Sequence, residues 1–167
     1  KVLFPALRLG YLVLPEQPLG DFRSVAARLH PAGSALDQAV VADFMTEGHF
    51  ARHIRRMRNL YAERRRALAE ALADCFGARF GIEIQAGGMR LIARLDARED
   101  DRALAARALA AGLAPSPLSP CAVERDCGQG LLLGFTNVPA SSARAEAERL
   151  HRALGPRPAE TAIAGGS

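Results

Sequence analysis

The chain has 167 residues, of which 49% are hydrophobic and 24% charged, and this composition is typical of one folded globular domain. No apolar run approaches the ~18 residues that a membrane span requires, and no signal peptide is visible, so we expect a cytoplasmic protein with no membrane contact. The net charge of +4 comes from arginine, because Lys1 is the only lysine and carries the only side-chain amine that could form a Schiff base.

The first 48 residues predict one strand followed by two helices. LRLGYLVLP (7–15) is apolar, ends at a proline and predicts a buried strand. Helical spacing follows over 22–30, with Asp21 as a candidate cap, and Ser34 is placed to cap a second helix. One strand and two helices cannot bury both faces of that strand, so we interpret this region as a piece of a larger sheet.

Residues 49–76 predict the longest element, a helix of about seven turns. Its apolar side chains recur at steps of three, four or seven residues and define one face: Phe50, Ile54, Met57, Tyr61, Leu68, Leu72 and Cys75 or Phe76. Gly77 is the predicted stop. A helix of this length is expected to connect two lobes or to lie across a domain.

From residue 77 onward the predicted order is β-β-α-β-β-α. The elements are strands over 82–86 and 89–95 that turn at Gly87-Gly88, a helix over 100–113, strands over 118–123 and 130–138, and a helix over 141–154 capped by Ser141 or Ser142. This pattern predicts an α/β fold class, in which helices cover one face of a small sheet. The tail, 156–167, lacks periodicity and is predicted to be disordered.

The three cysteines, Cys75, Cys121 and Cys127, are odd in number and lack the paired spacing of a zinc site, so we interpret them as structural. His49 and His53 lie one helical turn apart, but no third ligand is near them in sequence. We therefore interpret both histidines as structural and predict no metal.

Seven arginines lie along the long predicted helix: Arg52, Arg55, Arg56, Arg58, Arg64, Arg65 and Arg66. Contact with nucleic acid is one interpretation, because basic residues along a helix can follow phosphates. No aromatic side chains interleave on the polar face, and Glu63 and Glu70 interrupt it. A solvated face or a dimer surface is the favoured interpretation.

Lys1 and Arg8 lie seven residues apart, on either side of Phe4-Pro5. A reactive amine before the turn and a guanidinium after it could face one anionic ligand. Arginine suits a phosphate because its planar fork gives two parallel charged hydrogen bonds. The pair alone is a weak signal, since a lysine near a chain end is usually solvated.

Several segments together carry a family resemblance. KVLFPALRLGYLVLP resembles the segment that follows the cofactor lysine in fold-type I pyridoxal-phosphate (PLP) aminotransferases, most closely in the MocR-type regulators of the GntR superfamily. QAVVADFMTEGHFARHIRRMRNLYAERRRAL (38–68), AGGMRLIARL (86–95) and GLLLGFTNVP (130–139) resemble that branch in the same order. The resemblance covers about residues 1–155.

The resemblance implies a role for each of these residues. Lys1 would be the catalytic residue that holds pyridoxal 5'-phosphate as an aldimine, and Arg8 would grip the cofactor phosphate. Residues 1–48 would be the end piece of the large PLP-binding domain, 49–76 a connecting helix and 77–155 the small C-terminal domain. Because family members carry an N-terminal winged helix-turn-helix, we expect the chain to be the C-terminal part of a longer homodimer that binds DNA through that other domain.

The resemblance also identifies a departure from the family. Related aminotransferases hold the substrate carboxylate with an arginine in the closing strand, where this chain has Leu131, Leu132 and Leu133. Arg90 is the nearest alternative, either as a substitute carboxylate clamp or as a solvated charge on an alternating strand. Since the family's other cofactor-binding groups precede the lysine, we expect the chain alone to lack transaminase activity.

Three functions stay open. The first is a transcriptional regulator whose aminotransferase-like domain senses PLP or an amino compound by aldimine exchange at Lys1. The second is a class I/II aminotransferase acting on an amino acid, with Lys1 as the base that moves the proton. The third is a folded lobe with no function of its own. The fold does not choose between them, but the sequence upstream of Lys1 would.

Overall fold

A computed structural model gives the fold, and it describes residues 9–29, 35–85, 87–124 and 126–156. The chain divides into two compact units, Lys1–Arg58 and Asn59–Ser167. Each unit is described by itself below.

The described part of the first unit is helical. It contains helix α1 (Leu19–Leu29), helix α2 (Ala35–Thr46) and the first turns of helix α3 (His49–Phe76). Helix α1 begins earlier than the spacing predicts, so Asp21 lies in its first turn and not at its cap. No residue of α1 or α2 is buried.

The strand predicted over 7–15 is absent from its described part. Residues 9–15 form no strand, and Tyr11, Leu12 and Val13 are 86%, 77% and 84% exposed. A strand needs a neighbour for its backbone N–H and C=O groups, and no strand among the described residues pairs with this segment. Its apolar sequence alone therefore does not make it a strand within this chain.

Helix α3 has the predicted bounds, His49–Phe76. Gly77 follows with a φ of 52°, a left-handed conformation that glycine adopts without strain, and it ends the helix as predicted. The buried side chains of α3 all lie in the second unit: Leu68, Ala69, Ala71, Leu72 and Phe76.

The second unit is built around a four-stranded antiparallel sheet. Its strands are β1 (Gly81–Glu83), β2 (Arg90–Arg94), β3 (Ser116–Pro117) and β4 (Gly130–Gly134), in the order β1-β2-β4-β3. Helix α4 (Asp101–Ala110) lies between β2 and β3 in sequence, and helix α5 (Ala143–Leu154) follows β4. The predicted β-β-α-β-β-α order and the α/β class are confirmed.

The core lies between one face of this sheet and the helices. Strand β2 alternates, so Leu91 and Ala93 are fully buried while Arg90, Ile92 and Arg94 point to the other face. Across the ladder, Leu91 pairs with Leu133 and Ala93 with Leu131. Helices α3, α4 and α5 supply most of the other members of the buried cluster, among them Leu68, Leu72, Phe76, Leu104, Ala108, Ala147, Leu150 and Leu154.

The other face of the sheet contributes nothing to that buried cluster, and we call it the open face. The register places six side chains on it: Glu83, Arg90, Ile92, Arg94, Ser116 and Leu132. The polar side chains of the open face therefore come from β1, β2 and β3, and β2 supplies both arginines.

The strand predicted over 118–123 is wrong, since β3 lies before it and is two residues long. Ser119–Cys121 forms a 3-10 helix instead. Pro120 has no N–H to donate, and the Asp101 carboxylate takes up the N–H groups of Leu118 and Ser119. The Ser119 N–H is consequently lost to a strand ladder, and the Leu118 N–H, which also donates to the Gly130 carbonyl of β4 at 2.9 Å, is the last one that pairs with that strand.

The last strand is also shorter than predicted. β4 ends at Gly134, and the chain turns over Phe135–Val138, where the Val138 N–H donates to the Phe135 carbonyl at 3.2 Å. Helix α5 then begins with Ser142 at its N-cap position, one of the two predicted caps, although its side chain makes no capping hydrogen bond.

Candidate cofactor and effector site

The structure describes one of the three residues that the sequence predicts for the site. Lys1 and Arg8 lie outside the described residues. Arg90 begins strand β2, on the open face. What the structure adds to the prediction is therefore the surroundings of Arg90.

Arg90 is exposed, and its guanidinium has no hydrogen-bond or ion-pair partner among the described residues. Its cross-strand neighbour is Gly134, which has no side chain and open space where a Cβ would lie. The neighbouring pair on the same face, Ile92 and Leu132, is apolar and half-buried. The open face thus presents a guanidinium beside a small apolar surface.

The second arginine of the open face is already neutralised. Arg94 Nε donates to Glu83 Oε1 at 2.8 Å, and Arg94 also donates to the Cys127 carbonyl. The hydrogen bond to Glu83 is the main reason that the pKa of Arg94 is raised. Of these two arginines, Arg90 is the one whose guanidinium is available to an anionic ligand. The register of the strands distinguishes them, and the sequence alone does not.

Two arginines of the long helix differ from the prediction. Arg64 donates to the carbonyl of Thr136, after β4, and Arg65 Nη1 donates to the carbonyl of Gln85, after β1, at 3.1 Å. Both are half-buried and bound to backbone carbonyls, so neither lies on a fully solvated face. The other members of the run are exposed: Arg52, Arg55, Arg56, Arg58 and Arg66. Arg64 and Arg65 hold two segments that leave the sheet against α3.

His49 has contacts that fit the structural role predicted for it. Its Nε2 lies 3.1 Å from Glu47 Oε2, its Nδ1 lies 3.1 Å from Arg52 Nη1, and its ring stacks on Phe44 with centroids 5.6 Å apart. Among the described residues, no group of three or more His, Cys, Asp or Glu side chains is arranged to hold a metal ion.

Asp101 is the buried polar centre of the second unit, and the sequence analysis missed it. Its carboxylate is fully buried and accepts the N–H groups of Leu118, Ser119 and Gly130 at 3.1, 2.8 and 3.1 Å, and the Ser119 hydroxyl at 2.7 Å. Burial acts to raise the pKa of Asp101, but these four hydrogen bonds outweigh burial, so the pKa lies below its usual range. The carboxylate ties α4 to both strands of the β3–β4 pair.

A second buried charge pair lies near the end of α3. Arg79 Nη2 lies 2.6 Å from Glu99 Oε1, with side chains 9% and 2% exposed. Arg79 also donates to the Gly155 carbonyl, after α5. Asp101 and this pair are structural, since neither belongs to the open face. Only the register and packing of distant segments could have revealed them.

A groove of about 460 Å³ lies on the helix side of the second unit. Its lining combines apolar and polar residues and includes Leu68, Leu72, Leu133, Asn137, Glu146 and Arg149. Gly134, the cross-strand neighbour of Arg90, also lines it, so the groove reaches the end of β4 beside Arg90. In the part of the chain that the structure describes, no helix has the length and apolar character to cross a membrane.

Comparison with known families gives the class of the protein. Residues 2–130 match the model of the family "Aminotransferase class I and II", and the chain belongs to this family. The matched range includes Arg8, the α3 helix, β2 with Arg90, and the first residue of β4.

Two curated relatives are transcriptional regulators. The chain is 36% identical over 144 residues to the probable rhizopine catabolism regulatory protein MocR of Rhizobium meliloti, a match that covers 86% of this chain and 29% of the relative. It is 26% identical over 156 residues to the uncharacterized HTH-type transcriptional regulator YhdI of Bacillus subtilis (strain 168), covering 93% of this chain and 33% of the relative. The predicted resemblance to MocR-type regulators is confirmed.

A solved structure shows the same fold. LysN, the α-aminoadipate aminotransferase of Thermus thermophilus, superposes with a TM-score of 0.81 at 25% identity, over 92% of this chain and 39% of LysN. That crystal structure holds N-(5'-phosphopyridoxyl)-L-leucine. The present chain spans about a third of the length of the curated relatives it matches.

Proposed function

We propose that this chain is part of a PLP-binding, aminotransferase-like effector domain in a homodimeric, DNA-binding transcriptional regulator. The observation that carries the proposal is the combination of a class I/II aminotransferase match over residues 2–130 with curated relatives that are regulators. DNA would be bound by another domain, and this chain would respond to PLP or to an amino compound.

The residues that would hold PLP fit its chemistry. PLP supplies an aldehyde that an amine can bind and a ring that withdraws electrons. Lys1 is the only lysine of the chain and would bind the aldehyde carbon through its amine. Arg8 would bind the phosphate, because a guanidinium gives two charged hydrogen bonds to such a group.

Arg90 would bind the carboxylate of the effector. It is exposed, it lacks a partner among the described residues, and it lies two ladder positions from Leu132 in the closing strand. The apolar pair Ile92 and Leu132 would exclude water beside that carboxylate and strengthen the charged contact. Arg90 would in this way take the place of the arginine that the closing strand of this chain lacks.

Absorption spectroscopy of the complete protein tests the role of Lys1. We expect a band near the edge of the visible range when PLP is bound, and we expect Lys1→Ala to abolish it. Arg90→Ala is the matched control and should keep the band, because Arg90 is assigned to the effector and not to the cofactor. A band that persists in Lys1→Ala would exclude Lys1 as the residue that binds the aldehyde.

Titration with PLP tests the role of Arg8. We expect Arg8→Ala to weaken PLP binding by about 1–3 kcal/mol, since a charged hydrogen-bond partner of the phosphate is lost. An unchanged dissociation constant would remove Arg8 from the phosphate site.

A genuine aminotransferase is the second candidate, because LysN shares the fold with a TM-score of 0.81. In that case Lys1 would move the proton of the bound amino acid. The two candidates separate in an assay for amino-group transfer to a 2-oxo acid by the complete protein. Turnover would favour the enzyme, whereas PLP binding without turnover would favour the regulator.

A further inference from the structure

Two of the three cysteines lie close together on the connection between β3 and β4. Cys121 ends the 3-10 helix Ser119–Cys121 and is exposed, while Cys127 is half-buried. Both are free thiols, as is Cys75 on α3. Neither Cys121 nor Cys127 has a part in the function proposed above.

One carbonyl oxygen links the two residues. The Leu118 carbonyl accepts the backbone N–H of Cys121 at 2.9 Å and the thiol of Cys127 at 3.4 Å. The sulfur of Cys127 is therefore held against the turn that carries Cys121. The shared acceptor places the Cys127 sulfur and the Cys121 N–H on the same oxygen, and a disulfide between the two residues requires their Cα atoms to lie about 4.4–6.8 Å apart.

The shared acceptor is itself firmly held. Leu118 is buried, and its N–H donates to the Gly130 carbonyl at 2.9 Å and to Asp101 Oδ2 at 3.1 Å. Leu118 thus belongs to the rigid part of the second unit, and the proximity of the two cysteines follows from the fold. Within the described residues, Cys75 by contrast shares no such acceptor with either of them.

A cation lies beside Cys127. Arg94 donates to the Cys127 carbonyl, and Cys127 contributes to the raised pKa of Arg94, after the larger influence of Glu83. A cationic neighbour and partial exposure distinguish reactive cysteines from inert structural ones. Cys127 has the partial exposure, while Arg94 lies against its backbone carbonyl and is itself paired with Glu83.

We propose that Cys121 and Cys127 form a reversible intramolecular disulfide when the protein meets hydrogen peroxide. The Cys127 thiolate attacks the peroxide, so a sulfur–oxygen bond forms, the oxygen–oxygen bond breaks and one water leaves after protonation. The Cys121 thiol then attacks that sulfur, the sulfur–sulfur bond forms and a second water leaves. Two thiols are oxidised and one hydrogen peroxide is reduced to two waters.

Peptide mass spectrometry of the complete protein tests this directly. Trypsin cleaves after Arg125 and so separates Cys121 from Cys127, while Cys75 falls on a third peptide. After treatment with hydrogen peroxide and blocking of the remaining thiols, we expect the Cys121 and Cys127 peptides to be joined, with the loss of two hydrogens. Dithiothreitol should separate them again, and dilution of the protein should leave the yield unchanged.

Single substitutions provide the controls. Cys75→Ser should keep the linked peptides, whereas Cys121→Ser should leave the oxidised sulfur of Cys127 open to a dimedone-type probe for sulfenic acid. Full blocking of both cysteines after peroxide treatment would overturn the proposal. A link that involves Cys75, or one that vanishes on dilution and therefore joins two copies, would overturn it as well.

Discussion

The two units of the chain bury their apolar side chains to very different extents. In the first unit, helices α1 and α2 have no buried residue, and large apolar side chains such as Tyr11, Leu12 and Val40 are exposed. In the second unit, the sheet and three helices enclose a continuous core with Leu72, Leu91 and Leu131 at full or nearly full burial. Among the described residues, similar apolar composition therefore yields a buried core in the second unit and none in the first.

The difference shows where each unit finds its packing partners. The second unit closes its core with its own elements, and Asp101 and the Arg79–Glu99 pair fix those elements together. The first unit presents apolar surface of the kind that marks contact with other protein. We propose that the remainder of the aminotransferase domain covers it, since the chain spans about a third of the length of its curated relatives.

The largest expected effect is a difference in unfolding free energy between two leucine substitutions, one in each unit. Leu131→Ala removes a fully buried side chain and should lower the free energy of unfolding of the chain by about 2–5 kcal/mol. Leu12→Ala, at a position 77% exposed, should change it by less than about 0.5 kcal/mol. Urea denaturation measures both. In the complete protein Leu12→Ala should cost more, on the order of 2 kcal/mol, if that surface is covered.

Equal costs for the two substitutions in the isolated chain would contradict the contrast between the units. A cost for Leu12→Ala that stays near zero in the complete protein would contradict the proposed covering of the first unit.

A pair of adjacent aspartates gives the next effect. Asp101→Ala leaves the N–H groups of Ser119 and Gly130 without this buried acceptor, and leaves the Leu118 N–H with the Gly130 carbonyl alone, so it should cost at least about 3 kcal/mol. Asp100→Ala removes only the cap of α4, which accepts from two backbone N–H groups, and should cost about 1 kcal/mol. Asp101→Ala should therefore have the lower free energy of unfolding of the two variants. The reverse order would deny Asp101 its role at the centre of the second unit.

The smallest expected effect is a loss of folding stability at acid pH. Because the pKa of Asp101 is lower in the folded state, its ionised form stabilises the fold fully above the unfolded value of about 3.9. This contribution is lost as the pH falls through the lower, folded value. Unfolding followed from neutral pH to about pH 3 should show a steeper loss of stability for the wild type than for Asp101→Asn. Parallel curves would mean that Asp101 does not titrate as described.

The sequence predicted best what depends on local pattern. Helix α3 has the predicted bounds because its apolar spacing is regular over its whole length and Gly77 stops it. The strand predicted over 7–15 was wrong in its described part because a strand depends on neighbours. The 3-10 helix at Ser119–Cys121 arises from a contact with Asp101, far away in sequence, which no local pattern reveals.

The candidate site likewise has features that the sequence predicted and features that only the structure revealed. Arg90 was predicted from the absence of an arginine in the closing strand, but only the register showed that Arg94 is paired with Glu83 and that Arg90 has no such partner among the described residues. The proposed roles of Lys1 and Arg8 rest on residue chemistry and family resemblance, since both lie outside the described residues. The surroundings of the site therefore depend on pairing between residues that are distant in sequence, and the spacing of residues along the chain does not reveal that pairing.

Operator binding by the complete protein tests the central claim most directly. The dissociation constant for operator DNA should be measured with and without PLP, in the wild type and in Lys1→Ala. We predict that PLP changes the dissociation constant of the wild type and leaves that of Lys1→Ala unchanged, because cofactor and DNA binding are coupled through this domain. The same dissociation constant for the wild type with and without bound PLP would contradict an effector role for the domain.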